Sequence, residues 1–218
     1  MISEERIEKK FVLGKFKEDF ITKFLILNGF KKHFPMRKIN SVYLDTFNYD
    51  FARDNINGVS SRKKIRFRWY NNDETQVFLE EKNKKNFLVW KNIKKIKLSK
   101  SREQLISELK KYFFSKDIKN MKNFNYNFIL KTNYKRNYWI SNDKKFRATI
   151  DIDINTCSLK NFLKPIYLPD TVLEFKFPSK YETDFRNFFN FDSNRLRSQK
   201  YSKYIRSFLA LENSGLVV

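Results

Sequence analysis

Along several stretches of the chain, apolar and charged residues alternate with the two-residue period of a β-strand. In Ile65-Arg66-Phe67-Arg68-Trp69 the apolar side chains take one face and two arginines take the other. Residues 146–154 set Phe146, Ala148, Ile150, Ile152 and Ile154 against Arg147, Thr149, Asp151 and Asp153, and 172–177 set Leu173, Phe175 and Phe177 against Glu174 and Lys176. Residues 77–84 place Glu80 and Lys82 on a shared face, and Arg6, Glu8 and Lys10 share parity. A long candidate strand over 128–139 carries Tyr134, Arg136 and Tyr138 on one side, and a shorter strand is expected over 41–47. A sheet face turned to water accounts for any one of these patterns. Opposite charges recurring within single faces, Glu8 with Lys10, Glu80 with Lys82 and Glu174 with Lys176, point instead to a closed or nearly closed antiparallel barrel. Its lumen would be polar and charged, and Ile65, Phe67, Leu173 and Phe175 would pack outward beneath helices.

Helical spacing supplies those helices. Residues 15–30 carry Phe16, Phe20, Phe24 and Leu27 and stop at Gly29, a C-terminal cap residue. Residues 101–114 open with the capping-box pair Ser101 and Gln104, then present Leu105, Leu109 and Phe113. Shorter helices are expected over 181–191 and 203–211. Residues 54–60 read as a turn, 91–100 as a basic connector and 212–218 as a flexible tail. No internal repeat or domain boundary is visible, so one α+β domain over 1–211 is expected.

Charge adds a partner class to this architecture. The 218 residues include 46 Lys+Arg against 24 Asp+Glu, a formal net charge of +22, with 41% hydrophobic residues to build a core. Such an excess implies an anionic partner, whether nucleic acid, an acidic membrane surface or a small polyanion such as a phosphate chain. An AT-rich coding sequence also enriches lysine, but drift scatters lysines over surfaces and does not seat charges at alternate positions inside apolar strands.

Other chemistries drop out. The single cysteine, Cys157, excludes a disulfide scaffold and a cysteine-based zinc site, and a reducing, cytoplasmic location is expected. Apolar runs such as Phe24 to Leu27 fall far short of the roughly 20 residues that span a bilayer, and the N-terminus lacks a secretory pattern, so no membrane segment is expected. The one histidine, His33, has no carboxylate pattern beside it and reads as a surface or packing residue. No glycine-rich phosphate loop occurs. A metal would therefore be held largely by carboxylates, which favours Mg²⁺ or Mn²⁺.

Eight fragments in order carry a resemblance. Arg6-Ile7-Glu8-Lys9-Lys10-Phe11, Tyr43-Leu44-Asp45-Thr46 and Ser61-Arg62-Lys63-Lys64-Ile65-Arg66-Phe67-Arg68-Trp69-Tyr70 are followed by Leu79-Glu80-Glu81-Lys82 and Tyr134-Lys135-Arg136. Arg147-Ala148-Thr149-Ile150-Asp151, Leu173-Glu174-Phe175-Lys176 and Ser202-Lys203-Tyr204 complete the series. The chain resembles the vacuolar transporter chaperone (VTC) domain, one of the triphosphate tunnel metalloenzymes, which are CYTH-like. The resemblance implies an eight-stranded antiparallel tunnel with flanking helices. It implies a metal-dependent polyphosphate polymerase that moves the terminal phosphoryl group of ATP onto a growing chain, with Mn²⁺ or Mg²⁺ as cofactor and ATP, inorganic polyphosphate or tripolyphosphate as partners.

By the same resemblance Lys10, Arg66, Arg68, Lys82, Arg136, Arg147 and Lys203 grip the phosphates. Tyr134 and Ser202 add hydroxyl donors, Arg62 and Lys176 also bind substrate, and Glu174 is the main metal ligand. Glu8, Glu80 and Asp151 either join it or orient the cations by ion pairing. The chain is little more than the tunnel domain, and stand-alone tunnel domains include hydrolases of triphosphates, so a tripolyphosphate or nucleoside-triphosphate hydrolase and a non-catalytic polyphosphate-binding module remain alternatives. Nucleic acid is not the expected ligand, and no oligomeric state can be read from the sequence.

Overall fold

The computed structural model describes residues 6–14, 17–86, 88–98, 105–114, 126–160, 164–188 and 197–215. Within them lie strands β1 (Arg6–Leu13), β2 (Phe30–Thr46), β3 (Ser61–Tyr70), β4 (Asp73–Lys85), β5 (Leu88–Lys97), β6 (Tyr126–Ser141), β7 (Arg147–Ser158), β8 (Ile166–Tyr167) and β9 (Thr171–Pro178). The helices are α1 (Glu18–Leu27), α2 (Asp50–Ile56), α3 (Leu105–Phe114), α4 (Glu182–Phe188) and α5 (Lys203–Asn213). Eight strands follow one hydrogen-bonded path, β1-β9-β7-β6-β2-β3-β4-β5, and β8 pairs with β7 off that path. The pairs β1 with β9, β7 with β9, and β2, β3, β4 and β5 in succession are antiparallel. The expected class, α+β with an eight-strand antiparallel sheet and flanking helices, holds. Among the described residues no helix is long and apolar enough to cross a membrane.

The chain forms two compact units. The first comprises Met1–Arg37, Tyr134–Ile154 and Tyr167–Ser202. Here β1, β9 and β7 lie in register, Glu8 opposite Lys176 opposite Arg147 and Lys10 opposite Glu174 opposite Thr149, so these side chains share one face. The other face seats Phe11, Ile150, Leu173, Phe175 and Phe177 against Ile21 and Leu25 of α1 and Phe185 of α4. The rings of Phe177 and Phe185 stack at 4.5 Å.

The helix over 15–30 forms, but on a different stripe from the expected one. Ile21 and Leu25 are buried and Phe24 is half-buried, whereas Phe20 and Leu27 are 46% and 85% exposed. Gly29, at φ +72°, turns the chain directly into β2 and seats Phe30 beside Ile21 and Leu25, which selects the buried side. Phe16, Ser101, Gln104 and residues 189–191 and 216–218 lie outside the described residues.

The second unit comprises Lys38–Asn133, Asn155–Ile166 and Lys203–Val218. Val42, Leu44, Ile65, Phe67, Trp69, Val77 and Leu79 pack beneath Leu105, Leu109 and Phe113 of α3, the face and the helix stripe expected for both. A second cluster joins Tyr43 and Leu130 to Ala52 of α2 and to Tyr204, Phe208 and Leu211 of α5. The strand reversals at Asn71 and Asn86 use φ of 54° and 55°, which asparagine tolerates.

Three expectations are corrected. Residues 91–100 are not a connector: most of them form β5, paired along its length with β4. Its apolar residues Trp90, Ile93 and Ile96 recur every third position, which hides the strand period. The turn expected over 54–60 begins only at Asn57, because α2 runs first, its leading N–H groups bonded by Asp45 and by the Thr46 hydroxyl. The strand expected over 41–47 starts at Phe30; residues 31–38 are exposed on both faces and so carry no alternation. His33 lies in this exposed part against the Phe34 ring, a surface position as expected.

Candidate functional site

In the second unit, alternation along β3 turns Arg62, Lys64, Arg66 and Arg68 to the face opposite the α3 core. Register places Tyr43 and Ser41 of β2 opposite Arg66 and Arg68, and Lys84, Lys82 and Glu80 of β4 opposite Arg62, Lys64 and Arg66. Glu80 is the hub of this face. Its Oε2 accepts from Arg66 Nε at 2.7 Å and lies 2.6 Å from Arg66 Nη2, its Oε1 accepts from Lys91 Nζ at 2.7 Å, and Arg68 Nη1 stands 3.7 Å from Oε2. Arg66 also donates to the Tyr43 hydroxyl at 3.2 Å, and Arg68 Nε to Ser41 Oγ at 3.4 Å.

Burial alone would raise the Glu80 carboxyl, but the attraction of Arg66 and Arg68, with the Lys91 hydrogen bond, outweighs it and holds the pKa at about 2. Burial lowers the Lys91 ammonium, with Arg66 and Arg68 adding to the shift against the pull of Glu80. Three cations thus share one carboxylate, and the surplus positive charge is what an anionic ligand answers. Arg62 is half-buried and Lys82 exposed on the same face. Lys91 was not expected here; no local pattern marks it, and only the β4–β5 register brings it to Glu80.

Two residues beyond Tyr43 along β2, Asp45 is fully buried and accepts from the backbone N–H groups of Thr46 (2.7 Å), Phe51 (2.9 Å) and Ala52 (2.9 Å) and from the Tyr204 hydroxyl (2.5 Å). Burial raises its carboxyl, and these hydrogen bonds oppose the rise. The Tyr204 ring stacks on Tyr43 at 4.9 Å, so the helix that opens with Lys203 is anchored one ring from Arg66.

The first unit holds a second charged cluster. Arg136 of β6 grips Asp151 with two bonds, Nε to Oδ1 at 2.6 Å and Nη2 to Oδ2 at 2.7 Å, and its Nη2 lies 3.9 Å from Glu174 Oε2. Its guanidinium sits 5.4 Å from the centre of the buried Tyr134 ring. Burial works against the Arg136 charge, and Asp151 more than compensates, holding the guanidinium protonated. Asp151 thus pairs with Arg136 as Glu80 pairs with Arg66. Arg147, exposed, lies in register with Lys176. Ser202 is half-buried and follows Tyr201, whose carbonyl accepts from Lys10 Nζ at 3.2 Å.

Glu8 and Glu174 converge on the same two lysines. Lys176 Nζ lies 3.1 Å from Glu8 and 3.4 Å from Glu174, and Lys10 Nζ lies 3.9 Å from each. Burial disfavours the Lys176 charge, and Glu174 and Glu8 together raise its pKa above the ordinary value. Among the described residues no three or more His, Cys, Asp or Glu side chains gather as a metal cage. Glu8 and Glu174, two carboxylates that meet the same lysines, suit an ion that keeps water and phosphate oxygens in its remaining positions, as Mg²⁺ and Mn²⁺ do.

The chain matches the model of a known family, the VTC domain, over residues 6–212. The chain belongs to the VTC domain family. No curated protein matches it. Among solved structures, a candidate adenylate cyclase of Bacillus halodurans is 12% identical, with 94% of this chain and 97% of that one covered at a TM-score of 0.58. A candidate adenylate cyclase of Vibrio parahaemolyticus is 14% identical over 94% and 98%, TM-score 0.51. A protein of Hippeastrum, a candidate adenylyl cyclase with a dominant triphosphatase activity, is 13% identical over 98% of both chains, TM-score 0.53. At these identities the likeness is one of fold, and this VTC domain shares that fold along nearly its whole length.

Proposed function

We propose that this VTC domain is a metal-dependent polyphosphate polymerase of the cytoplasm that transfers the terminal phosphoryl group of ATP to a growing polyphosphate chain. The observation that carries the reading is the cluster in which Arg66, Arg68 and Lys91 share the single carboxylate of Glu80. A phosphate chain carries about one negative charge per unit, and charge-assisted hydrogen bonds from fixed guanidinium groups replace its hydration. Glu80 and the Tyr43 hydroxyl hold Arg66 before ligand arrives, so little ordering is left for the moment of binding.

Arg66, Arg68, Arg62, Lys82 and Lys203 take phosphate oxygens in the second unit. Lys10, Lys176, Arg136 and Arg147 do so in the first, with hydroxyl donors from Tyr134 and Ser202. Glu174 and Glu8 would hold a Mg²⁺ or Mn²⁺, whose chemistry there is to neutralise charge on phosphate oxygens. Asp151 keeps the Arg136 guanidinium aimed, and Lys10 and Lys176 pair with both carboxylates. No protein nucleophile is needed, since an oxygen of the chain's terminal phosphate attacks the γ-phosphorus of ATP, the bond to the β–γ bridging oxygen breaks, ADP leaves, and binding side chains position the reactants.

A triphosphatase is the second reading, favoured by the fold shared with the Hippeastrum protein. Incubating purified protein with ATP and Mn²⁺ and resolving the products on a gel separates the two. A ladder of polyphosphate that disappears in Arg66→Glu supports the polymerase; orthophosphate without polymer supports the hydrolase; unchanged ATP with retained tripolyphosphate binding leaves a binding module.

A further inference from the structure

The β4–β5 hairpin ends in an apolar tip with no place in either reading of the charged faces. Leu88, Val89 and Trp90 are 71%, 52% and 45% exposed, and β5 ends the strand path. Successive strand residues point to opposite faces, so Leu88 and Trp90 leave one side of the hairpin and Val89 leaves the other. Register sets Lys85 opposite Leu88 and Lys84 opposite Val89, so the apolar residues are bordered by ammonium groups on the neighbouring strand.

A protein partner takes an apolar patch on one face. A tip apolar on both faces suits a medium that surrounds it. Leu88 to Trp90 covers about 7 Å at roughly 3.3 Å per residue, comparable to the ~5–10 Å to which interfacial segments enter the boundary between headgroups and acyl chains. Tryptophan favours that boundary, and the bordering lysines, on a chain of net charge +22, complement anionic headgroups.

We propose that the β4–β5 tip is a shallow membrane anchor, with Leu88, Val89 and Trp90 entering the surface of an anionic bilayer and Lys84 and Lys85 contacting its headgroups. The hairpin would seat the domain on a lipid surface without crossing it. This stands independently of the reaction the domain performs.

The three tryptophans make the test direct. Trp69 and Trp139 are 1% and 3% exposed, so a change of emission on adding vesicles reports Trp90. With vesicles of phosphatidylcholine and phosphatidylserine, emission of the full chain should shift to the blue and be quenched by lipids brominated on the acyl chain. Trp90→Phe should abolish the shift while the protein still sediments with the vesicles. Leu88→Ser combined with Trp90→Ser, both at exposed positions, should leave thermal stability unchanged and weaken sedimentation by roughly ten-fold or more. The proposal is overturned if wild-type protein ignores the vesicles, or if the double variant sediments as well as wild type, which assigns the attraction to bulk charge. It is overturned equally if the blue shift appears on concentrating the protein without lipid, because a second copy of the chain then covers the tip.

Discussion

Tyr204, in the first turn of α5, donates its hydroxyl proton to Oδ2 of Asp45, 159 positions earlier at the end of β2. The same carboxylate accepts two N–H groups at the start of α2, so one buried side chain ties a strand and two helices together. The Tyr204 ring carries the connection onward through Tyr43 to Arg66.

Removing the donor but keeping the ring tests how much the hydrogen bond contributes. Tyr204→Phe should lower stability by about 1–3 kcal/mol in urea denaturation, the range for a hydrogen bond to a buried charged group. Tyr204→Ala, which also empties the stack on Tyr43, should cost about 3–5 kcal/mol and weaken tripolyphosphate binding in calorimetry more than Tyr204→Phe does.

Glu80 predicts an acid limb. Its pKa is held at about 2, below the ordinary 4.5, so its pairing stabilises the fold above pH 4.5 and is lost as pH falls toward 2. That shift corresponds to roughly 3 kcal/mol. In Glu80→Gln this contribution is absent at every pH. The stability gap between wild type and variant should therefore shrink as denaturation is followed from pH 5 down to 2.

Asp151 is buried and held by both guanidinium bonds of Arg136. Asp151→Asn leaves that guanidinium buried without its counter-charge, a loss of about 3–5 kcal/mol. Phosphate can restore the missing charge. Tripolyphosphate should therefore raise the melting temperature of Asp151→Asn more than that of wild type.

Strands that separate a helix-covered face from a charged face, β3, β7 and β9, were legible as alternation because both faces impose a residue type. β5 and the first half of β2 were not, since exposure on both faces removes that constraint. α1 was legible as a helix while its buried side was not, because Phe20 and Leu27 share one helical stripe and Ile21 and Leu25 another. Among the site residues, those on alternating strands could be placed by parity. Lys91 and the role of Asp45 could not, because their partners come from a neighbouring strand and from residue 204, and no local pattern joins them.

Charge reversal separates the ligand face from bulk charge. Lys94 lies on the α3 side of β5, its Nζ 5.5 Å from the Tyr112 ring, whereas Arg66 lies on the opposite face. Arg66→Glu should abolish tripolyphosphate binding in calorimetry, because it seats a carboxylate where phosphate oxygens bind. Lys94→Glu changes the net charge by the same amount and should reduce affinity less than three-fold at 0.15 M salt, where screening is strong beyond ~8 Å. Equal losses would place the ligand on the outer surface.

The Glu8 and Glu174 pair gives the sharpest test of the metal assignment, because the two carboxylates share the same lysines yet differ in exposure. Glu174 is 8% exposed at its side chain and Glu8 33%, so Glu174 should hold the ion more firmly, with Glu8 completing the site at its outer side. Glu174→Gln should lower Mn²⁺ affinity, measured by calorimetry in the presence of tripolyphosphate, by at least ten-fold, and Glu8→Gln by less. Tripolyphosphate binding in EDTA should survive in both, since Lys10 and Lys176 released from a carboxylate pair with phosphate instead. Turnover should fall in Glu174→Gln and recover in part at high Mn²⁺, because an amide oxygen still coordinates weakly. Wild-type Mn²⁺ affinity in Glu174→Gln would instead make that residue only an ion-pair partner of Lys10, Lys176 and Arg136 and move the metal to other carboxylates.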